Sequence, residues 1–262
     1  MSLDLKEPFE IDIENDVNDI AAFIRKNVEG AGCKTAIVGL SGGVDSAVSA
    51  ALSVKALGCE NVVTVFMPYA TSNPQSRVDS YAVSNWLKTR SFDVDITPMV
   101  DAYFSSFPEA GALRRGNFMA RQRMCVLYDQ SAVYNGLVIG TCNRTEVLLG
   151  YSTLHGDSAC AMNPIGGLYK TQVWEVARYL GVPKSVIDKA PSGDLWQGQT
   201  DEGEMGFSYA DADMILYLLF DEGLDEREIV KRGFEEKIVS RVRRMCERNE
   251  FKRAMPPVFS LR

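Results

Sequence analysis

The sequence contains a single histidine, His155, and its six cysteines nowhere form a CxxC pair. Structural zinc sites need closely spaced Cys and His ligands, so that class of site is not expected. Six unpaired cysteines in a chain of this size read as reduced, buried thiols of a cytoplasmic protein. No stretch is apolar for long enough to cross a bilayer, and the opening residues, MSLDLKEPFE, hold no apolar signal region. Positive charge is short as well. The 28 Lys and Arg stand against 35 Asp and Glu, a net charge of −7. A phosphate-backbone binder needs a basic face, so a nucleic-acid partner is disfavoured. Anionic small molecules stay within reach if a few Arg and Lys converge and a metal helps.

What is present is ordinary globular composition, 46% hydrophobic and 24% charged over 262 residues. That length suits one large α/β domain with a helical appendage. Val17, Ile20, Ala21, Ile24 and Val28 recur at helical spacing and predict a helix over 16–29. The short apolar runs at 34–40, 61–68, 91–98 and 136–141 predict strands. Helices are predicted after the 41–46 loop as far as Gly58, and over 76–90, 117–130 and 170–181. Residues 191–207, rich in Gly, Ser, Gln and acids, read as a loop, and 208–250 as mostly helical. This alternation predicts an α/β fold: a doubly wound, mostly parallel sheet with helices on both faces and a helical C-terminal segment. In such sheets ligands sit at the carboxyl ends of the strands.

The strongest local signal lies at one of those ends: Gly39-Leu40-Ser41-Gly42-Gly43-Val44-Asp45-Ser46. Glycines there let a backbone approach an anion closely, and the first N–H groups of the following helix point at it. Ser41 and Ser46 add hydroxyls. Asp45 cannot donate to a phosphate, and an acid beside phosphates makes sense as a Mg2+ ligand. The loop is not a Walker A motif, because Asp45 stands where that motif needs Lys. A glycine-rich βα turn with a good N-cap is the plain alternative. The SGGxDS pattern resembles the signature of ATP pyrophosphatases, which cut ATP between its α- and β-phosphates and adenylate a substrate.

Further segments narrow the resemblance. Residues 116–128 (GNFMARQRMCVLY), 140–157 (GTCNRTEVLLGYSTLHGD), 163–173 (NPIGGLYKTQV) and 190–209 (APSGDLWQGQTDEGEMGFSY) are similar, in order, to motifs of the NAD synthetases. The resemblance implies one synthetase domain over 1–262, with its loop-bearing core at about 30–210 and a helical segment at about 208–262. It also implies amidation of deamido-NAD with ammonia, consuming ATP and releasing AMP and pyrophosphate through an adenylated nicotinate. Long members of the family carry an N-terminal glutaminase domain. The loop begins near residue 39, so none is expected here and free ammonia is the implied nitrogen source. A homodimer is implied too, with the apolar side of 117–130 (Phe118, Met119, Val126, Leu127) as a candidate interface; a core helix would show the same spacing.

Residue by residue, the resemblance assigns Mg2+ to Asp45 and Glu146, whose strand ends can be neighbours in a parallel sheet. It assigns ATP to the 39–46 loop, Lys170 and Ser192, and Thr141 offers a hydroxyl to a phosphate or ribose. Lys170 and Asp157 are the expected catalytic residues, Asp157 as a group that orients ammonia or accepts its proton. Arg121, Asp157 and Lys252 match contacts to deamido-NAD. Arg123 points elsewhere on the same helix and suits a structural role. Solvated surface residues are the plain alternatives for Glu146, Lys170, Asp157 and Lys252. The loops at 72–77 and 193–207 are expected to close over the site.

The chain departs from the family pattern at Leu154 (commonly Lys), Ala161 (commonly Asp), Phe251 (commonly His) and Gly193 (commonly Ala). These put the nicotinate side of the site in question, and not the ATP chemistry. His155, beside a turn glycine and without an evident partner, is read as an ordinary surface residue. Two other readings stay open at this point. One is a different ATP pyrophosphatase, such as the synthetase half of a GMP synthetase or a tRNA thiolase. The other is a nucleotide-binding sensor on the same scaffold, which needs the loop but not Glu146, Asp157 and Lys170 together.

Overall fold

The computed structural model describes residues 10–194 and 198–260. Its centre is a sheet of four strands in the order β3-β2-β1-β4, every neighbouring pair parallel. The strands are β1 (Thr35–Leu40), β2 (Val62–Phe66), β3 (Arg90–Asp93) and β4 (Gly136–Val138). β1 and β2 are apolar almost throughout because helices cover both faces. Alternate side chains serve different layers. Ala36, Val38 and Leu40 join one core, while Ile37, Val63 and Val65 join another.

The first core lies under α1 (Ile13–Gly30), α2 (Val44–Leu57), α3 (Pro74–Leu87) and α7 (Lys170–Leu180), with the short α8 (Lys184–Ile187) at its edge. Helix α2 is buried on nearly all sides, and its Ala and Ser residues allow α1 and α7 to pack closely against it. The second core lies under α4 (Thr97–Phe104) and α5 (Ala112–Val133). Phe118, Met119, Val126 and Leu127 of α5 pack into that core, so the apolar side considered as an interface is a core face. Leu113, Tyr128 and Val133 are the exposed large hydrophobic residues of this helix.

A third cluster is entirely helical. It joins α6 (Arg144–Leu149), α9 (Asp201–Met205), α10 (Tyr209–Phe220), α11 (Glu226–Lys231) and α12 (Glu236–Arg248). Tyr169 and Trp174 stitch this cluster to α7.

The expected architecture is present, with local differences. The run 91–98 divides into β3 and the start of α4, where Asp95 accepts the Thr97 N–H and Pro98 sits in the first turn. The stretch 191–207 contains the short helix α9. Residues 74–77 are the first turn of α3, capped by Asn73, and so are not part of an open loop. Residues 195–197 of the expected 193–207 lid lie outside the described residues.

Topology places the site. From β1 the chain moves through β2 to β3 at one edge, then returns to the other side of β1 as β4. The strand order therefore reverses between β1 and β4. A crevice opens at such a switch point, at the carboxyl ends of the two strands.

Candidate active site

A cavity of about 1500 Å3 opens at that switch point. One wall is the loop joining β1 to α2. Gly42 has φ +76°, and a Cβ there would lie 2.5 Å from the backbone O of Ser76. Only glycine fits. The loop is braced internally: Ser46 Oγ donates to Gly43 O (3.0 Å) and accepts from Ser41 N (3.2 Å), and Gly43 N donates to Ser41 Oγ (3.2 Å). The serine hydroxyls therefore shape the loop as well as facing the cavity. No side chain caps α2 at Gly43. The N–H groups of that 14-residue helix thus begin at the cavity wall, the arrangement that suits a phosphate. A Gly42→Ala variant is expected to displace the loop from Ser76 and weaken ATP binding by more than about tenfold. Calorimetric titration with ATP checks this, and unchanged affinity would refute it.

Facing the loop is a cluster of charge. Lys170, the first residue of α7, is 1% exposed. Its ammonium lies 2.5 Å from Asp45 Oδ2 and 3.8 Å from Glu146 Oε1, and over the ring of Tyr209 at 4.9 Å. Burial opposes its charged form, but Asp45 and Glu146 outweigh that and its pKa is raised. Glu146 is held by a capping box at the start of α6: it accepts from Asn143 N, and its own N–H donates to Asn143 Oδ1. Burial, and then repulsion from Asp45, push its carboxyl well above the ordinary range. The Asn143 side chain also donates to Asp45 Oδ1 at 2.9 Å, so one buried residue aligns both acids, Asp45 through its side-chain amide and Glu146 through its backbone N–H.

Two negative groups against one positive group is an electrostatic surplus that a small cation would relieve. Among the described residues no group of three Cys, His, Asp or Glu side chains is placed to hold a metal. Mg2+ does not need such a cage, since it takes one or two carboxylates and completes its shell with phosphates and water. Asp45 and Glu146 fit that demand.

Lys170 is fixed from behind. Its backbone N–H donates to Thr145 Oγ1, and the Thr145 hydroxyl donates to Asp213 Oδ1. Thr171 donates both its N–H and its hydroxyl to Asp213 Oδ2. Asp213, wholly buried on α10, thus ties α6, α7 and α10 together. Asp201 accepts from the hydroxyl of Tyr209 at 2.9 Å beside the same cluster. Burial raises the pKa of both acids.

Farther along the cavity, Asp157 accepts from Thr153 N at 2.7 Å. It is open to the cavity but deep within it, and the loss of bulk water raises its pKa. Lys252 lies nearby, with its ammonium donating to Gly150 O and Ser152 O, both at 2.7 Å. Thr141 and Ser192 line the cavity as expected. Arg121 does not line it; the side chain is exposed and donates to Leu154 O. Arg123 is the arginine of α5 that faces in, donating to Met67 O at 3.0 Å.

A family model described as NAD synthase matches residues 16–256. The chain belongs to the NAD synthase family. Among its relatives, an NH(3)-dependent NAD(+) synthetase of Trichlorobacter lovleyi is 51% identical over 239 residues, covering 91% of this chain and 88% of that protein. Among solved structures, an NMN synthetase from Francisella tularensis superposes with a TM-score of 0.86 at 32% identity, covering 96% of this chain and all of that one. An NH3-dependent NAD synthetase from Campylobacter jejuni superposes at 0.83 with 33% identity, again over 96% and 100%. Membership accounts for the loop, Asp45, Glu146 and Lys170 meeting at one switch point, and it separates the chain from the GMP synthetase, thiolase and sensor readings.

Four residues that the sequence reading passed over also shape this family's site here: Asn143, Asp201, Asp213 and Lys189. Lys189 contacts Asp79 and Ser76 at 3.1 Å, and Gly42 O at 3.3 Å. Asp194 accepts from Asn73 N and from Ser76 Oγ, all at 3.1 Å. The two walls that were expected to move are therefore already joined over the loop.

Proposed function

We propose that this chain amidates the nicotinate carboxyl of deamido-NAD with ammonia, converting ATP to AMP and pyrophosphate. The observation that carries this reading is the Asp45–Lys170–Glu146 cluster set against the uncapped start of α2. The helix start and Lys170 offer positive charge to the ATP phosphates. Asp45 and Glu146 would hold Mg2+, which supplies charge neutralisation on the phosphate oxygens.

In the first step a nicotinate carboxylate oxygen bonds to the α-phosphorus, and the bond from that phosphorus to the bridging oxygen breaks. Pyrophosphate departs as a stable anion, so the residues contribute chiefly position and electrostatic stabilisation. In the second step ammonia adds to the acyl carbon, AMP leaves with the former carboxylate oxygen, and one proton is lost from nitrogen. Asp157, with its raised pKa, suits the role of proton acceptor or ammonia anchor. The Lys189 and Asp194 contacts cover the loop and help keep water from the adenylate.

Lys252 belongs to the proposal as a contact to the dinucleotide, and Ser192 and Thr141 as contacts to ATP; Arg121, outside the cavity, would meet only a part of the dinucleotide that extends beyond it. A homodimer is part of it as well, with Leu113, Tyr128 and Val133 of α5 among the exposed apolar residues. No helix among the described residues is long and apolar enough to cross a membrane.

A second reading concerns the acceptor. The Francisella relative is named an NMN synthetase, and Leu154 and Ala161 depart from the family pattern where the resemblance implies dinucleotide contacts. One set of assays decides both points: AMP and amide formation with ammonium or glutamine as nitrogen donor, and with deamido-NAD or nicotinate mononucleotide as acceptor. Ammonium with deamido-NAD is expected to give the largest kcat/KM. A higher value for the mononucleotide would replace the dinucleotide as the substrate, and no ammonium-dependent AMP would end the proposal.

A further inference from the structure

The cavity has a second positively charged wall, which the chemistry above does not use. Arg241, Arg244 and Arg248 of α12 all line it. Their spacing of three and four residues puts them on one face of the helix. Val239, Val242 and Cys246, on the opposite face, are buried in the helical cluster, which fixes the arginine face toward the cavity.

Among the described residues none of the three has a carboxylate within ion-pair distance. The nearby acids are engaged elsewhere: Glu204 accepts from Tyr151 and Gln199, and Glu247 pairs with Arg243. Arg241 donates to Glu204 O and Arg244 to Ser240 O, both at 3.1 Å, so both guanidinium groups are positioned with other N–H groups to spare. Lys170, by contrast, is already shared between two carboxylates. In a chain of net charge −7, three unpaired arginines on one concave wall focus attraction on an anion. The planar guanidinium fork suits phosphate oxygens in pairs.

We propose that Arg241, Arg244 and Arg248 form a second anion subsite, which takes a diphosphate group. This rests on the function above, which supplies two such groups besides the triphosphate of ATP: the bridge of the dinucleotide and the released pyrophosphate.

The test uses the full chain with Arg244→Gln and Arg248→Gln combined. Arg248→Gln alone is added because that side chain makes no bond to the protein among the described residues. Arg227→Gln on α11, outside the cavity, is the control. Pyrophosphate is titrated calorimetrically with the phosphate loop occupied by a non-hydrolysable ATP analogue. Wild type and control are expected to bind alike, and the double variant about tenfold more weakly. Added salt is expected to weaken the wild type more than the double variant.

Kinetics then identify the source. A raised KM for deamido-NAD, with the KM for ATP unchanged, assigns the bridge. A raised inhibition constant for pyrophosphate, with both KM values unchanged, assigns the product. If both variants match wild type in binding, salt response and kinetics, the subsite is overturned. If wild type makes no ammonium-dependent AMP yet the binding difference persists, the functional reading falls and the subsite stands.

Discussion

Replacing Lys170 with methionine is expected to remove essentially all amidation activity and to lower stability by about 3–5 kcal/mol. The side chain is almost fully buried and is, among the described residues, the one cation facing these two carboxylates. Methionine keeps much of the volume but leaves Asp45 and Glu146 facing each other without a counter-charge. The cost comes from those two uncompensated acids more than from the lost hydrogen bond. The measurement is urea unfolding of both proteins with and without Mg2+. The variant is expected to gain more stability from Mg2+ than wild type does, because the cation replaces the missing ammonium. A variant as stable as wild type, with equal response to Mg2+, would show that Lys170 does not balance this pair.

Glu146→Gln is expected to do the opposite to stability while also removing activity. Burial and Asp45 hold the Glu146 carboxyl well above its unfolded value. The folded state therefore binds this proton more tightly than the unfolded state. The sign follows: the contribution of Glu146 is most favourable below its unfolded pKa, and it declines as pH rises through the window between the unfolded and folded values. Glutamine does not titrate, and its side-chain oxygen can still accept from Asn143 N. The melting temperature of the variant is thus expected to exceed that of wild type, by a margin that grows as the pH rises above the unfolded value of Glu146. With one carboxylate left for a cation, turnover should fall by at least about a thousandfold. A variant that melts below wild type at pH 8 would contradict this account. Together these outcomes would describe a site built against stability, in which a repulsive couple is kept for a ligand.

How much of this was readable from residues alone differs from element to element. The sheet was legible because β1 and β2 are continuous apolar runs closed by Gly and Pro signals, and parallel strands must be buried on both faces. The phosphate loop was legible because its glycines do conformational work that few other residues can do. Helix α4 was not, since Asp95, Thr97 and Pro98 resemble a strand end until the Asp95 cap is seen. Asp213 was missed although a trace of it existed: it is an acid within the apolar run YADADMILYLLF, where a charge survives only if satisfied. Lys189 and Asp194 act through partners more than a hundred residues away in sequence, a distance that no local pattern spans. The face of α5 that periodicity offered as an interface shows the core alternative for a related reason. Periodicity finds an apolar face but not what covers it, and here the sheet does.

The way the end of α6 is held, by Lys252 and its neighbours, bears on how such a protein comes to work in a cell. Four carbonyls at and just beyond the end of α6 are gripped from one short stretch: Leu149 O by Asn249, Gly150 O and Ser152 O by Lys252, and Leu148 O by Arg253. That stretch lies about a hundred residues beyond the helix it holds, and the helix carries Glu146. A nascent chain on the ribosome would present the phosphate loop early, while the helix bearing its second acid lacked its clasp. Competence to split ATP would then arrive late and abruptly, once translation had delivered residues 249–253, which would spare the cell a half-made ATP hydrolase.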